Sequence, residues 1–359
     1  MSDKKGFITL TVVFEAMSLN RDEGMGNIQS LHLLTRGNGK TYSYMSRQAL
    51  TYAVRKFLIE SGKWPETRVI SDGDVTQYWP DIIKYPEVDL FGYMVTIPTN
   101  ELRPAPVTFT HAVSLEPYNS DMSFYANIEL SRRSNSNPNP YNKQEHKSLY
   151  KYSCVIDLER IGKYDSNEII GVKRENGRWG NLEHIEKKDK GKEIEHYGRK
   201  SEITKVYTTK DKKKLCDIKI KEIEISNNNE KAIRINQLLD AILYLFHQIS
   251  AYREPLNPLF IAAAHLKYGS PIFHNYVELK DMENEDNNKA IIDGELFEKG
   301  IQHAKNILKA EGKFAWSIVK GAGDLHLDIE PEPEGTKDNP VEVIEAVKNW
   351  VDSVYDVKT

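Results

Sequence analysis

The chain has 359 residues, 39% of them apolar, with a formal charge of −4. This is enough apolar material for a real core, and no apolar run approaches the ~20 residues of a membrane helix, so a disordered chain and a helical membrane protein are excluded. The two cysteines, Cys154 and Cys216, stand in no metal-like spacing. A disulfide framework and a zinc site are therefore not expected, and the reading is a soluble, untargeted, cytoplasmic protein without metal, cofactor or membrane partner. The net charge hides an asymmetry. Residues 18–63 carry seven Lys/Arg against three Asp/Glu, and residues 324–359 carry three against ten. A basic front and an acidic back suit a chain that meets nucleic acid with one face and a copy of itself with the other.

Phe7 to Phe14 alternates, with Ile8, Leu10, Val12 and Phe14 on one face and Thr9, Thr11 and Val13 on the other. This predicts a first strand covered mainly on one side. A long loop is expected from Met17 to Tyr44. Within it Gly39-Lys40-Thr41 matches the end of a P-loop, but Leu34 stands where the first glycine is needed and no buried strand precedes it, so a nucleotide triphosphatase is set aside. A helix is predicted from Ser46 to about Ser61, with Leu50, Ala53, Val54, Phe57 and Leu58 on its apolar stripe and Arg47, Thr51 and Arg55 opposite. Its start, Ser46-Arg47-Gln48, offers free N–H groups and a positive dipole end to a phosphate, near a loop that carries Arg36 and Lys40.

Residues 62–105, rich in Pro and Trp without a long period, read as an insertion. Val107–Leu115 and Leu149–Leu158 alternate as two further strands, the first placing His111 on the Val107-Phe109-Val113 core face and the second aligning Tyr150, Tyr152, Cys154 and Ile156. The connection between them, 117–148, is far longer than a tight hairpin needs, and its Asn/Pro/Ser-rich stretch argues against a self-contained packed structure. Residues 171–229 form a polar insertion in which 187–214 holds eleven Lys/Arg against five Asp/Glu; mobility is expected there. Lys231–Ser250 reads as one apolar helix and "PLFIAAAHL" as a buried strand. Two more helices follow, around Leu296–Leu308 and from Asn339-Pro340 onward, within a C-terminal helical segment 295–359. The order strand, helix, strand, strand, helix, strand is that of an α+β, ferredoxin-like or RRM-type fold with long insertions, built on 6–61, 106–116, 149–162 and 230–270 as parts of a single domain.

"LTVVFEAMSLNRDEGMGNIQSL", "YSYMSRQALTYAVRKFL", "VDLFGYM", "RPAPVTFTHAVSLEPY" and "HKSLYKYSCVIDLERIG", in that order, resemble the DevR-like (Cas-seven) backbone subunits of type I CRISPR effector (Cascade) complexes, particularly subtype I-B. The resemblance implies a right-hand shape: a ferredoxin-like palm, fingers at 62–105 and a thumb at 117–148. It implies no catalysis. Copies would stack head to tail along a guide RNA, kinking it at intervals and presenting it to target DNA beside other Cascade subunits in antiviral defence. The implied RNA contacts are Asn20, Arg21, Asn27, Ser46, Arg47 and Gln48 in the palm. Arg36, Lys40 and Arg55 add charge, Met122 and Phe124, with Tyr125, are the candidate stacking wedge, and Arg132 and Arg133 lie in the thumb.

Three rival readings remain at this point. Asp22 and Glu23 fall where type III relatives carry a cleaving aspartate, which raises a metal-dependent ribonuclease; the alternative is a turn with a local ion pair. A guide-processing endonuclease would use a histidine such as His32, His111 or His146. An interaction scaffold would use only the charged ends.

Overall fold

The computed structural model describes residues 5–165 and 224–357, with short breaks at 25, 73, 97–100, 250–251, 281–288 and 311–312; between 166 and 223 it describes only short lengths of strand backbone. Most of the polar insertion 171–229, with the expectation of mobility, therefore lies outside the described residues.

In chain order the elements that build the frame are β1 (Phe7–Met17), β2 (Ile28–Gln29), β3 (Leu33–Thr35), β4 (Thr41–Met45), α1 (Arg47–Glu60), α2 (Pro86–Phe91), β5 (Val107–Phe109), β6 (Ala112–Ser114), β7 (Asp121–Ala126), α3 (Ile128–Ser134), β8 (Pro140–Glu145) and β9 (Lys147–Asp157). They continue with α4 (Asn228–Tyr244), β10 (Phe260–Leu266), α5 (Gly294–Lys305), β11 (Phe314–Ile318), β12 (Thr336–Lys337) and α6 (Pro340–Val354). One nine-stranded sheet runs β12-β11-β10-β1-β9-β6-β4-β3, with β5 also on β9. β1 lies antiparallel between β9 and β10, Leu10 facing Cys154 on one side and Ala263 on the other.

Alternation in β1 sorts its side chains between two cores. Ile8, Leu10, Val12 and Phe14 pack with Leu50, Val54 and Leu58 of α1, Leu238 and Ile242 of α4, and Val343, Ile344 and Val347 of α6. Val13 belongs to a second core on the opposite face, with Phe260, Phe273, Phe297 and Trp316. β1 is thus buried on both faces, which corrects the one-sided expectation. The second layer is made by α5 and a 3-10 turn at Ile272–Asn275. Two short contacts tie that face together, the hydroxyls of Thr11 and Ser153 lying 2.7 Å apart and Ser153 Oγ 3.0 Å from His274 Nδ1, whereas the buried hydroxyl of Thr9 has no partner.

Local chemistry sets the ends of the helices. Ser46 caps α1 by accepting from the Ala49 N–H at 3.2 Å, and Asn339 caps α6 by accepting from the Glu342 N–H at 3.1 Å, with Pro340 at the first position. α4 stops at Tyr244 rather than running to Ser250. Leu245 turns extended, Asn257 Nδ2 donates to the Leu243 carbonyl at 3.0 Å, and Phe246–Ile249 pairs with Tyr252–Pro255 as a hairpin. Apolar residues continue through this junction, so periodicity alone did not mark it.

The predicted strand 107–115 is two strands. Phe109 faces Cys154 and Val113 faces Lys151, so three residues on one side oppose two on the other. This β-bulge flips the phase of everything after Thr110. Ala112 joins the core, and His111 is exposed instead of being a core histidine.

The insertion 62–105 forms two short hairpins around α2 and has a core of its own that includes Ile82, Ile83, Val88 and Tyr93. Asp89, fully buried, ties it to the sheet. Its Oδ1 accepts from Arg103 at 2.7 Å, its Oδ2 from Arg234 of α4 at 2.8 Å, and both oxygens from the Gly162 N–H at 3.0 Å. Arg234 also donates to the carbonyls of Ile82 and Ile83 at 2.7 Å. Each charge is paired and hydrogen-bonded, which is the condition for holding it in an interior.

Candidate nucleic-acid interface

Two surfaces stand out. The first is the part of the sheet that the α5 layer leaves uncovered, over β6, β4 and β3. The stretch read as a loop from Met17 to Tyr44 supplies it: β3 and β4 form an antiparallel hairpin, Leu33 facing Ser43. Gly39, at φ +80°, makes its tight turn, the Arg36 N–H donating to the Lys40 carbonyl at 3.0 Å. Gly39-Lys40-Thr41 therefore leads into a strand, not into the helix a P-loop needs. Lys40 is exposed, and Arg36 lies with its guanidinium 4.6 Å above the Tyr42 ring. Along the sheet, three rings form an edge-to-face ladder, His32 to Tyr44 at 5.6 Å and Tyr44 to His111 at 5.5 Å.

The ladder ends at the start of α1. His111 Nδ1 accepts the Arg47 N–H at 3.0 Å, Ser46 Oγ takes that of Ala49, and the Ser46 carbonyl takes that of Leu50. The Leu50 N–H makes the helix's own first bond, and of the N–H groups before it those of Arg47 and Ala49 are taken by side chains, which narrows the free N–H groups expected at this helix start. The bulge at Thr110 is what carries the imidazole there. The side chains of Arg47 and Gln48 remain exposed, and with Thr51 and Arg55 they line a groove of about 370 Å³ floored by Phe91 and Phe109. Arg55 is held in place, 4.9 Å from the Phe91 ring centroid and 3.8 Å from Glu87 Oε1, with its Nε buried and unpartnered.

The second surface is the connection 117–148. It is a folded unit: β7 pairs antiparallel with β8, α3 crosses the tip, and β2 adds to β8 in parallel. The connection has regular secondary structure where a loop was expected, Asn127 and Asn135 bounding a short helix with Asn135 in the left-handed conformation at its end, although none of its apolar residues joins a buried core. The pairing separates its aromatics. Tyr125 stacks on Tyr141 at 5.4 Å with Lys143 above both, on one face. Met122 and Phe124 are on the other, 52% and 66% exposed, in a row with Asn142 and Ile28. The Asn27 carbonyl accepts the Asn142 N–H at 2.8 Å. Arg132 and Arg133 are exposed on α3, Arg133 beside Glu129 at 3.2 Å.

Asn20 and Arg21 join these surfaces rather than standing free. The Asn20 carbonyl accepts from the His32 N–H at 3.1 Å. Arg21 donates to the Gln144 carbonyl at 2.9 Å and to Glu145 Oε2 at 3.0 Å, a carboxylate that also accepts from Ser18 Oγ at 2.5 Å. Its ion pair is thus with Glu145, across 124 positions, and not the local one expected of the turn. Asp22 closes that turn by accepting from the Glu23 N–H at 2.8 Å. Among the described residues no cluster of three metal-ligating side chains occurs. His146 is buried, 2.7 Å from Ser43 Oγ at Nδ1, and burial lowers its pKa. It is walled off from any ribose on the surface.

Tyr44, Tyr52, Phe91, Phe109 and Ile28 were missed as site residues. The alternation Thr41-Tyr42-Ser43-Tyr44-Met45 before a serine cap was the available signal for the strand; the others come together only in the fold.

The family described as "CRISPR-associated negative auto-regulator DevR/Csa2" matches residues 8–287, which includes every element of both surfaces. The chain belongs to the DevR/Csa2 family. A relative from Myxococcus xanthus (strain DK1622), "CRISPR-associated protein Cas7/Cst2/DevR", is 27% identical over 165 residues, covering 40% of this chain and 54% of that protein. The match thus spans about half the length of that relative. Two solved chains resemble this DevR/Csa2 member over 96% of its length. One, from a "CRISPR RNA-guided surveillance complex", is covered over 98% at 14% identity with a TM-score of 0.49; the other, from a "CRISPR RNA-guided surveillance complex, pre-nicking", is covered over 100% at 13% identity with a TM-score of 0.47. Among the described residues no helix is long and apolar enough to cross a membrane.

Proposed function

We propose that this DevR/Csa2-family chain is a guide-RNA-binding backbone subunit of a type I, I-B-like CRISPR effector complex. It acts as a holder rather than a catalyst, oligomerises head to tail on the RNA and presents it to target DNA. In this reading the sheet with α1 and α4 is a ferredoxin-like palm, 62–105 the fingers and 117–148 the thumb. The order β10-β1-β9-β6, with α1 and α4 on one face beside the additional α6, supports that description.

One observation carries the proposal. Lys40 and Arg47, which form no ion pair among the described residues, stand at the two ends of β4, roughly 20 Å apart at strand rise, with the His32-Tyr44-His111 ladder beside that strand. Cations spaced along a ring-bearing surface are what a single strand needs, charge for its phosphates and π-faces for its bases. Purification from a host that carries its own repeat array tests the reading. A discrete co-purifying RNA of guide length is the expected result; protein free of RNA, or carrying random fragments, rejects it.

A further inference from the structure

We infer that His111 is an RNA-binding residue, a neutral imidazole that donates its outward Nε2–H to the backbone of the bound strand. The inference rests on the functional reading above and adds a residue to that site. A backbone N–H can only donate, so the 3.0 Å contact from the Arg47 N–H requires a lone pair on His111 Nδ1 and places the ring proton on Nε2. A second proton, on Nδ1, would set N–H against N–H at the positive end of α1. Nε2 has no hydrogen-bond partner among the described residues, and His111 is exposed.

The ring is fixed before any strand arrives. Thr110 holds the bulge that carries it, its Oγ1 accepting the Ser153 N–H at 2.9 Å and donating to the His111 carbonyl at 3.1 Å. Tyr44 meets the imidazole edge to face at 5.5 Å. Arg47, the exposed cation next to it, stands at the opposite end of β4 from Lys40. A strand whose phosphates follow those two cations passes beside His111, where a neutral donor makes a charge-assisted bond to a phosphate oxygen without neutralising its charge. The same geometry separates this role from catalysis. The one lone pair of the neutral ring is turned into the protein, so His111 gives a hydrogen bond and does not take a proton from a ribose.

The two ring nitrogens can be replaced one at a time. His111→Asn keeps an acceptor near the Nδ1 position and has nothing at Nε2; His111→Gln places its amide near Nε2 and leaves the Arg47 N–H without its acceptor. Each is compared with the wild type for melting temperature and for binding of an unstructured single-stranded RNA over a range of salt. His111→Asn is expected to bind about tenfold more weakly at unchanged melting temperature and salt slope. His111→Gln is expected to melt lower and to bind closer to the wild type. The ring-nitrogen NMR signals of the wild type should report the Nε2–H tautomer, with the Nε2 signal moving when RNA is added. Wild-type affinity in His111→Asn, or an Nε2 signal that RNA does not move, overturns the assignment and leaves a histidine that only steadies α1. A salt slope reduced by about 0.7 in His111→Asn overturns the neutral donor in favour of an imidazolium that neutralises a phosphate. Failure of the wild type to bind the RNA at all overturns the functional reading itself, and this inference with it.

Discussion

Arg21 holds Glu145 at 3.0 Å, joining the chain that leaves β1 to the end of the strand that closes the thumb. The pair is 14% and 9% exposed, so removing the guanidinium leaves a carboxylate short of a partner in a largely dry place. Arg21→Ala is expected to cost about 2–3 kcal/mol in chemical denaturation. It is expected to weaken RNA binding without changing the salt slope, because the cation is committed to the protein. A shallower slope, the signature of a cation that neutralises a phosphate, would return Arg21 to the interface.

Arg47 is expected to behave in the opposite way. Its side chain is exposed and makes no ion pair among the described residues. Arg47→Glu should leave the melting temperature nearly unchanged, weaken RNA binding, and reduce the magnitude of the log–log salt slope by about 0.7 for each phosphate the side chain neutralises. An unchanged affinity removes it from the site.

Phe124 is 66% exposed on a paired strand, so its ring contributes little to folding. Phe124→Ala should lower affinity for single-stranded RNA by about 1–3 kcal/mol at constant stability. Tyr125→Ala, which breaks the stack on Tyr141, should instead show up in stability. The reverse pattern would exchange their roles.

Asp89 anchors the fingers through two buried guanidiniums. Asp89→Asn should destabilise the protein by about 3–5 kcal/mol, with new protease cleavage in 62–105 before global unfolding. A destabilisation below about 1 kcal/mol would show that the hub is replaceable.

Acid should weaken the fold. Burial, with Lys151 adding to it, pushes the His274 imidazole down to about 4, and burial also lowers those of His146, His247 and His265. The unfolded chain takes up these protons near pH 6.5, while folded His274 refuses its own until about 4. Stability is therefore complete above about pH 6.5 and falls as the pH drops toward 4. His274→Gln should remove about 1–2 kcal/mol of that fall, allowing for partial exposure. Equal pH profiles for the variant and the wild type would contradict the assignment.

What the sequence made legible was local. Alternation located β1 and β9, a continuous apolar run located β10, and the serine and Asn-Pro signals located the starts of α1 and α6, since each depends on residues a few positions apart. What stayed hidden depended on distant partners. The Arg21–Glu145 and Asp89–Arg234 pairs span more than a hundred positions, the second layer over β1 comes from the C-terminal third, and the end of α4 is set by Asn257. For the site, the charged residues were nameable in advance, but whether each is free or committed was decided by the fold: Arg47 stands free, whereas Arg21 and Arg55 are held.

The bulge between β5 and β6 has a consequence for how this stretch of gene tolerates change. Within 107–114 most residues need only suit the side they face, apart from Thr110 and His111, whose side chains accept from the Ser153 and Arg47 N–H groups, and the one extra residue sets where that imidazole falls. Loss of the codon for 110 or 111 would remove the bulge and straighten the strand, leaving 112 and 114 in phase with 107 and 109 on the core side while shifting or removing the imidazole that meets α1. A change of length here is therefore felt at the start of α1 before it is felt in the core.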